Sequence, residues 1–472
     1  MLLTNFLTTA QVETIHRNAL RVLTEIGVQV EHERVRQRLD GIGGQCDNSS
    51  MNVRFPAQTV ERYICTNHLR VPTAAAPTIR VGCGVYQCHY LDPQTNALLP
   101  FDELKLAKYT GLARSLPLIE PVNLLGVPFV PDGIPAPFTP LAEKLYAWKY
   151  GARPDGTIQN TGLCEFLLEM FSCHASMNGN RLEDVVVAVG YMISPLRLAR
   201  QECEQLLFFS ERGLRMSIGH LPSQGGSAPI TLAGSITLAL AEQIFLFLLQ
   251  RAFWEDAVFA IGGDVMTMDM RKAASCYGRP EQQRINVAFA DLARFYGCPC
   301  YGHTGLSDAK LPSFEAGVQK SVGALITALA VGRGTIEAGL LSTDEICSPI
   351  QMILDHDLAG SLRALLAEPL VDEAECDFDE ILTSGPGGNF LGADLTVQRC
   401  RTELFQPQTW SWQSVSGWLD SGKRIDVDYA RDIFKRFDKG FSPVSQITTE
   451  EERELRKIIA KSITATDGPL GG

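Results

Sequence analysis

Four stretches of this chain gather residues that can do chemistry among apolar neighbours. Gly262-Gly263-Asp264 sets a carboxylate behind two glycines, with Met266 and Asp269 following. Gly302-His303-Thr304 carries an imidazole, with Asp308 and Lys310 close behind. Glu337 stands at the end of the apolar run that starts at Gly334. The last stretch, Ser384 to Pro407, opens with Gly385, Gly387, Gly388 and Gly392 and presents Asn389 and Phe390. Asp264 reads either as a ligand-contacting carboxylate or as a cap for the next helix or turn. His303 suits an acid, a base or an orienting donor, or else a hydrogen-bonded loop histidine. A carboxylate at Glu337 needs a partner, because burying it alone is costly, and a cationic ligand would serve. Lys310 and Asp308 can also pair with each other as solvated ions. The glycine loop is either a tight structural corner or the floor of a ligand site.

These residues need a scaffold, and the apolar pattern supplies one. From residue 118 onward, runs that suit buried strands alternate with helical segments. They are Ile119 to Val127, Gly156 to Asn160, Val185 to Met192, Leu214 to Ile218, Ala257 to Ile261, Cys298 to Tyr301, Gly334 to Ala338 and Phe378 to Leu382. Continuous apolar strands alternating with helices imply a parallel sheet covered on both faces. Eight such units predict an α/β fold of the (β/α)8 TIM-barrel type over 118–407. An open doubly wound sheet is the competitor, but no G-x-G-x-x-G follows an early strand. A barrel carries its chemistry at the carboxyl ends of its strands. That rule singles out Gln159, Asn160 and Thr161, then Gly219 and His220, besides the four stretches above.

Residues 1–117 read as an N-terminal accessory layer, helical with a small antiparallel pair near 78–99. Residues 408–472 read as a C-terminal helical extension that begins with Trp410, Trp412 and Trp418. A chain of 472 residues with 45% hydrophobic and 20% charged residues has the make-up of a folded soluble protein. A formal net charge of −12 argues against a nucleic-acid partner and fits a cytoplasmic location. Its thirteen scattered cysteines suit reduced thiols. Neither Cys83, Cys88 and His89 nor Cys298, Cys300 and His303 has the spacing of a structural zinc site, so no metal is expected. The start has no signal-peptide pattern, and Ile230 to Phe253 is broken by polar residues, which predicts a buried helix and no membrane span.

Several segments are similar in sequence and order to the trimethylamine methyltransferase family. They are SAPITLAGSITLALAE (227 to 242), GGDVMTMDMRKAASCYGRPE (262 to 281), GHTGLSDAKLPSFEAGVQKS (302 to 321) and GPGGNFLGADLTVQRCRTELFQP (385 to 407). TTAQVETIHRNALRVLTEIGVQV (8 to 30) and LPFDELKLAKYTGLARSLPLIE (99 to 120) resemble it too. The resemblance implies a (β/α)8 barrel that passes a methyl from a methylated amine to the Co(I) of a cognate corrinoid protein. The cobalamin would be carried by that partner, with none bound directly, and the chain would self-associate into a homo-oligomer. The trimethylamine branch carries a pyrrolysine; this chain has standard residues throughout and resembles the branch that acts on glycine betaine and other quaternary amines.

A quaternary cation is held by aromatic faces and carboxylates. Tyr86, Tyr90, Phe390 and one of the tryptophans are candidates for the first, and Asp264 and Glu337 for the second. A betaine carboxylate would call on His303, His356, Lys310 or Arg271. The expected site therefore has Asp264, His303 and Glu337 as its catalytic residues. Tyr86, Tyr90, Asn160, His220, Arg271, Lys310, His356, Asn389 and Phe390 line it. Family members read close to GGHFLGHPHTLKHFR, with histidines where this chain has Asn389, Ala393, Leu395 and Arg399. Those losses leave open a second reading, a member that has lost methyl transfer and serves as a small-molecule-binding or assembly subunit.

Overall fold

The computed structural model describes residues 3–66, 76–158 and 160–465, so Gln159 lies outside the described residues. Eight of its strands, taken in chain order, position the site: β1 (Thr78–Val85), β2 (Ile119–Leu124), β3 (Arg153–Pro154), β4 (Val189–Tyr191), β5 (Ser217–Gly219), β6 (Ile261–Gly262), β7 (Cys300–Tyr301) and β8 (Arg333–Glu337). β1 pairs in parallel with β2, and β2 with β3. A parallel bridge from Thr157 to Val189 carries the β3 segment on to β4, which pairs with β5. β6 pairs with β7. The last strand pairs in parallel with the first, from Arg333 opposite Thr78 to Glu337 opposite Gly82.

Two junctions lack a strand ladder and are joined by side chains or loop backbone. Between β5 and β6, the Gln243 amide bonds both the N–H and the carbonyl of Gly262 and touches His220 Nε2 at 2.9 Å. Between β7 and β8, the Glu337 N–H donates to Gly305 O at 3.2 Å, and Thr304 Oγ1 exchanges hydrogen bonds with the Thr335 backbone. A side chain thus satisfies the backbone polar groups that burial would otherwise leave unpaired.

Two sequence expectations change places here. Phe378 to Leu382, expected as the eighth strand, is the start of an exposed helix, Phe378–Ser384. Its apolar residues Phe378, Ile381 and Leu382 have i, i+3, i+4 spacing, and Asp379 and Glu380 between them favour a helix start over a buried strand. Thr78–Val85, expected in an antiparallel pair within the accessory layer, is instead a central parallel strand. The parallel unit therefore begins well before residue 118 and ends before 378. The antiparallel pair is real but shorter: Tyr90 faces Leu99 and Leu91 faces Leu98.

Outside the strands, the largest buried element is the helix Leu232–Phe253, capped by the Thr231 side chain on the Gly234 N–H. Thirteen of its residues are buried, which accounts for its continuous apolar sequence without a membrane. Each large apolar side chain buried there contributes roughly 1.5–3 kcal/mol. The C-terminal helices are covers: Asp426–Gly440 packs on Pro349–Leu366, and Thr449–Ala465 packs on Cys164–Met177. Between these covers and the parallel unit, residues 363–408 form an arm in which no residue is buried.

Candidate active site at the strand ends

The carboxyl ends of six of these strands deliver an unusual set of side chains. Tyr86 follows β1, Asp155 follows β3, Tyr191 ends β4, Asp264 follows β6, Tyr301 ends β7 with His303 just beyond, and Glu337 ends β8. Close approach of two rings requires glycine. A side chain begun at Gly262 would meet the Tyr301 ring at 2.3 Å, and one at Gly219 would meet the Tyr191 ring at 2.9 Å.

Two further residues arrive on loops. Tyr277 stands after β6 with its ring edge-on to His303, centroids 4.8 Å apart. Asp344 occupies the turn of a hairpin, Leu340–Leu341 with Ile346–Cys347, immediately after β8. Ser342, Thr343 and Asp344 all have positive φ, 55°, 54° and 71°, in succession. Such backbone costs on the order of 1–3 kcal/mol per residue and persists where surrounding contacts enforce it. The Asp308 carboxylate supplies them. It accepts the N–H groups of Tyr277 and Gly278 at 2.8 Å each and the Thr343 hydroxyl at 3.0 Å, stapling the two loops together.

The electrostatics show how closely these groups share one volume. Burial pushes the Tyr86 phenol up, and Asp344, Glu337, Tyr277 and Tyr191 push it further. Tyr277 is raised by burial and Asp344, and Tyr301 by burial and Asp264. Tyr191, 49% exposed at the rim, is raised by burial, Asp155 and Asp264. Burial and the neighbouring Asp344 push the Glu337 carboxyl up to about 7, against the pull of Lys320 and Arg80. Asp344 is itself raised, chiefly by burial, and His303 works in the opposite direction. Asp344 and Glu337 thus stand beside Tyr86, and Asp155 and Asp264 beside Tyr191. Two buried polar atoms there have no hydrogen-bond partner, Asp344 Oδ1 and His303 Nδ1. The arrangement suits a cation: ring faces attract it, and each carboxylate loses less by burial once one is present.

Buried pairs behind the mouth hold its walls. Lys320 Nζ bonds Asp355 at 2.7 Å and the Glu337 carbonyl at 2.6 Å. Asp355 also accepts the Gly339 N–H and the Gln351 amide, so β8 and the turn after it are fixed from outside. His220 is part of a similar brace. Its Nδ1 meets Glu242 at 2.8 Å, and Glu242 in turn holds Ser194 and the Leu196 N–H. A cavity of about 390 Å³ opens beside the mouth, bordered by Gly219, Gln243, Asp264 and Tyr301. A larger, mostly apolar groove of about 820 Å³ lies between Thr9–Arg21 and the start of Leu232–Phe253, and none of the mouth residues lines it.

Of the residues singled out from sequence, the structure brings Asp264, His303, Glu337 and Tyr86 to the mouth and assigns the others elsewhere. Tyr90 is buried against Phe101, ring centroids 5.4 Å apart, on the far side of its strand pair. The Asn160 side chain caps the short helical turn Thr161–Leu163. Arg271 is exposed at the tip of the Met266–Asp269 hairpin. Lys310 is exposed and donates to the Asp308 carbonyl, not to its carboxylate. His356 sits on the outer helix Pro349–Leu366 beside Asp357, which holds the backbone of Gln408 and Thr409. Asn389 and Phe390 lie on the exposed arm, where the Asn389 side chain accepts the local Leu391 N–H. The tryptophans are also peripheral: Trp410 touches Phe405 and Trp412, and the Trp418 indole donates to Arg424 O.

Sequence reading missed Tyr191, Tyr277, Tyr301, Asp155 and Asp344. The strand-end rule could have found Tyr191 and Tyr301, which close expected strands. Nothing in the Ser-Thr-Asp-Glu turn marks Asp344 as more than a turn residue.

Parallel strands whose carboxyl ends enclose a polar, aromatic-walled mouth define an enzyme scaffold for a small molecule. Residues 166–466 match the family described as trimethylamine methyltransferase (MTTB), and the chain belongs to this family of methyltransferases. It is 25% identical over 416 residues to trimethylamine methyltransferase MttB of Methanosarcina thermophila, covering 84% of each chain. It is 26% identical over 435 residues to the glycine betaine methyltransferase of Desulfitobacterium hafniense (strain Y51), covering 85% of this chain and 86% of that one. The crystal structure of the Methanosarcina barkeri monomethylamine methyltransferase aligns over 92% of this chain and 93% of its own, with a TM-score of 0.44 at 9% identity.

Proposed function

We propose that this chain removes a methyl group from a quaternary ammonium compound and hands it to a cobalt(I) corrinoid carried by a separate partner protein. The parallel strands would form a closed (β/α)8 barrel, and the substrate would sit at its mouth. The observation that carries this reading is the convergence of Tyr86, Tyr191, Tyr277 and Tyr301 with Asp155, Asp264, Glu337 and Asp344.

The chemistry asks little of the protein beyond placement. A quaternary nitrogen is already activated: the N–CH3 bond breaks with its electron pair left on nitrogen, and a neutral tertiary amine departs. The corrinoid supplies the nucleophilic acceptor for the methyl. The protein's share is to hold the cation, exclude water and aim one methyl outward. Tyr277 and Tyr301 would grip the ammonium group through their ring faces, worth roughly 0.5–2 kcal/mol each. Glu337 and Asp344 would balance its charge, and His303 would orient the remaining substituent.

Family membership supports methyl transfer, and the relatives named for trimethylamine and glycine betaine support a methylated amine. The second reading, a binding or assembly subunit, drew on the four absent histidines at 389, 393, 395 and 399. Those positions lie on the exposed arm, apart from the tyrosines and carboxylates, so their loss leaves the mouth unchanged. Self-association and a cytoplasmic location belong to the same proposal. The exposed apolar residues of the arm, among them Leu370, Phe378, Leu382 and Leu391, are the feature that supports self-association. The direct test follows methyl transfer to cob(I)alamin from a panel of quaternary amines.

A further inference from the structure

Resting on that reading, we infer that the substrate is a quaternary ammonium compound whose fourth substituent is uncharged and carries a hydroxyl, and that it is not a betaine. The mouth is lined by acidic groups on several sides: Asp155 after β3, Asp264 after β6, Glu337 at the end of β8 and Asp344 in the hairpin turn. Among the described residues, the basic groups felt at this site are Lys320, Arg80 and His303, together with Lys144, which is buried, paired with Glu143 and bonded to the Asp155 carbonyl. Lys320 is committed: it is fully buried, bonded to Asp355 and to the Glu337 carbonyl. Arg80 lies on β1 two residues before Gly82, opposite Thr335, and its side chain is exposed. His303 is set against Asp344. The other basic side chains that sequence offered for a carboxylate, Lys310, Arg271 and His356, lie outside the mouth. A substrate carboxylate here would meet four carboxylates, with the buried cations Lys320 and Lys144 already paired, which is the arrangement that rejects a ligand.

The two unpartnered atoms point the same way. Asp344 Oδ1 can accept a hydrogen bond, and a neutral imidazole can donate from His303 Nδ1. Both residues flank the Tyr277 ring. A hydroxyl is both donor and acceptor, so one group on the substrate can satisfy both atoms. A carboxylate can satisfy only the imidazole.

Isothermal titration of the full-length protein at pH 8 with choline, tetramethylammonium and glycine betaine tests the inference. Choline is expected to bind at least about tenfold more tightly than glycine betaine, with tetramethylammonium between them. In Asp344→Asn the choline preference should shrink, because one repelling carboxylate and one hydroxyl acceptor of full charge are removed together. Glycine betaine binding as tightly as choline, or more tightly, would overturn this inference and leave the proposed quaternary-amine function standing. Binding of none of the three by a folded sample would overturn both.

Discussion

At the scale of single residues, the proposed site would work by placing polarisable rings and carboxylates where a cation can replace water. Tyr277 is the residue most fully built in: its N–H is held by Asp308, its ring abuts His303, and Asp344 lies beside it. Tyr277→Ala is expected to weaken quaternary ammonium binding by roughly tenfold, whereas Tyr277→Phe keeps most of the affinity, because the ring face and not the hydroxyl does the holding. Calorimetric titration of the two variants separates the contributions. Glu337 gives the site a pH dependence with a definite sign. Its carboxyl is raised from the ordinary 4.5 to about 7, so it is neutral below that pH and charged above it. Cation affinity should therefore climb as pH rises through about 7 and level off beyond, and Glu337→Gln should flatten that climb. The same shift means that the cost of burying the charged form is absent near pH 4.5 and fully present above 7, so stability declines across that window. Asp264, His303 and Glu337 were readable from sequence because each stands at or just after the end of an expected strand, whereas Tyr86 entered only as a ring that could hold a cation. Asp344 was not, since only the three left-handed residues of its turn carry it into the mouth.

At the scale of elements, most of the wall is held from behind. The strands are short, and side chains complete what their ladders leave open. Gln243 bridges to β6, and Lys320 with Asp355 fixes the end of β8. Lys320→Met would leave Asp355 as a buried charge without its counter-ion, a change that costs about 3–5 kcal/mol. A lowered denaturation midpoint, measured by circular dichroism in urea, is the expected result, together with weaker cation binding as Glu337 loses its anchor. The helix Leu232–Phe253 and the strands at 119, 189, 217, 261, 300 and 333 were legible because continuous apolar runs report burial on both faces. Thr78–Val85 escaped because Thr78, Arg80 and its two glycines dilute the apolar signal, although Ile79, Val81, Cys83 and Val85 are all buried. Phe378–Ser384 deceived for the opposite reason, being a short apolar cluster whose side chains stay exposed.

At the scale of the whole molecule, eight strands follow one another in chain order, the last paired with the first, and their carboxyl ends carry the acidic, tyrosine-lined mouth. The arm at 363–408 stands apart from it, tied down where Asp357 holds Gln408 and Thr409. The glycine-rich loop is part of that arm, so its prominence in the sequence marks a feature of the surface and not the floor of this mouth. Replacing residues 370–404 with a short Gly-Ser linker should leave cation binding within about twofold of the parent, since no buried residue is removed. Sedimentation of the same variant should give a smaller species if the arm joins copies of the chain. The central claim is met most directly by single-turnover assay. The folded protein is mixed with cob(I)alamin and choline under anaerobic conditions, and the cobalt spectrum is followed. The account predicts loss of the cobalt(I) spectrum with growth of methylcobalamin and release of the tertiary amine, strongly slowed in Tyr277→Ala. No methylcobalamin from any quaternary amine that the protein demonstrably binds would contradict it.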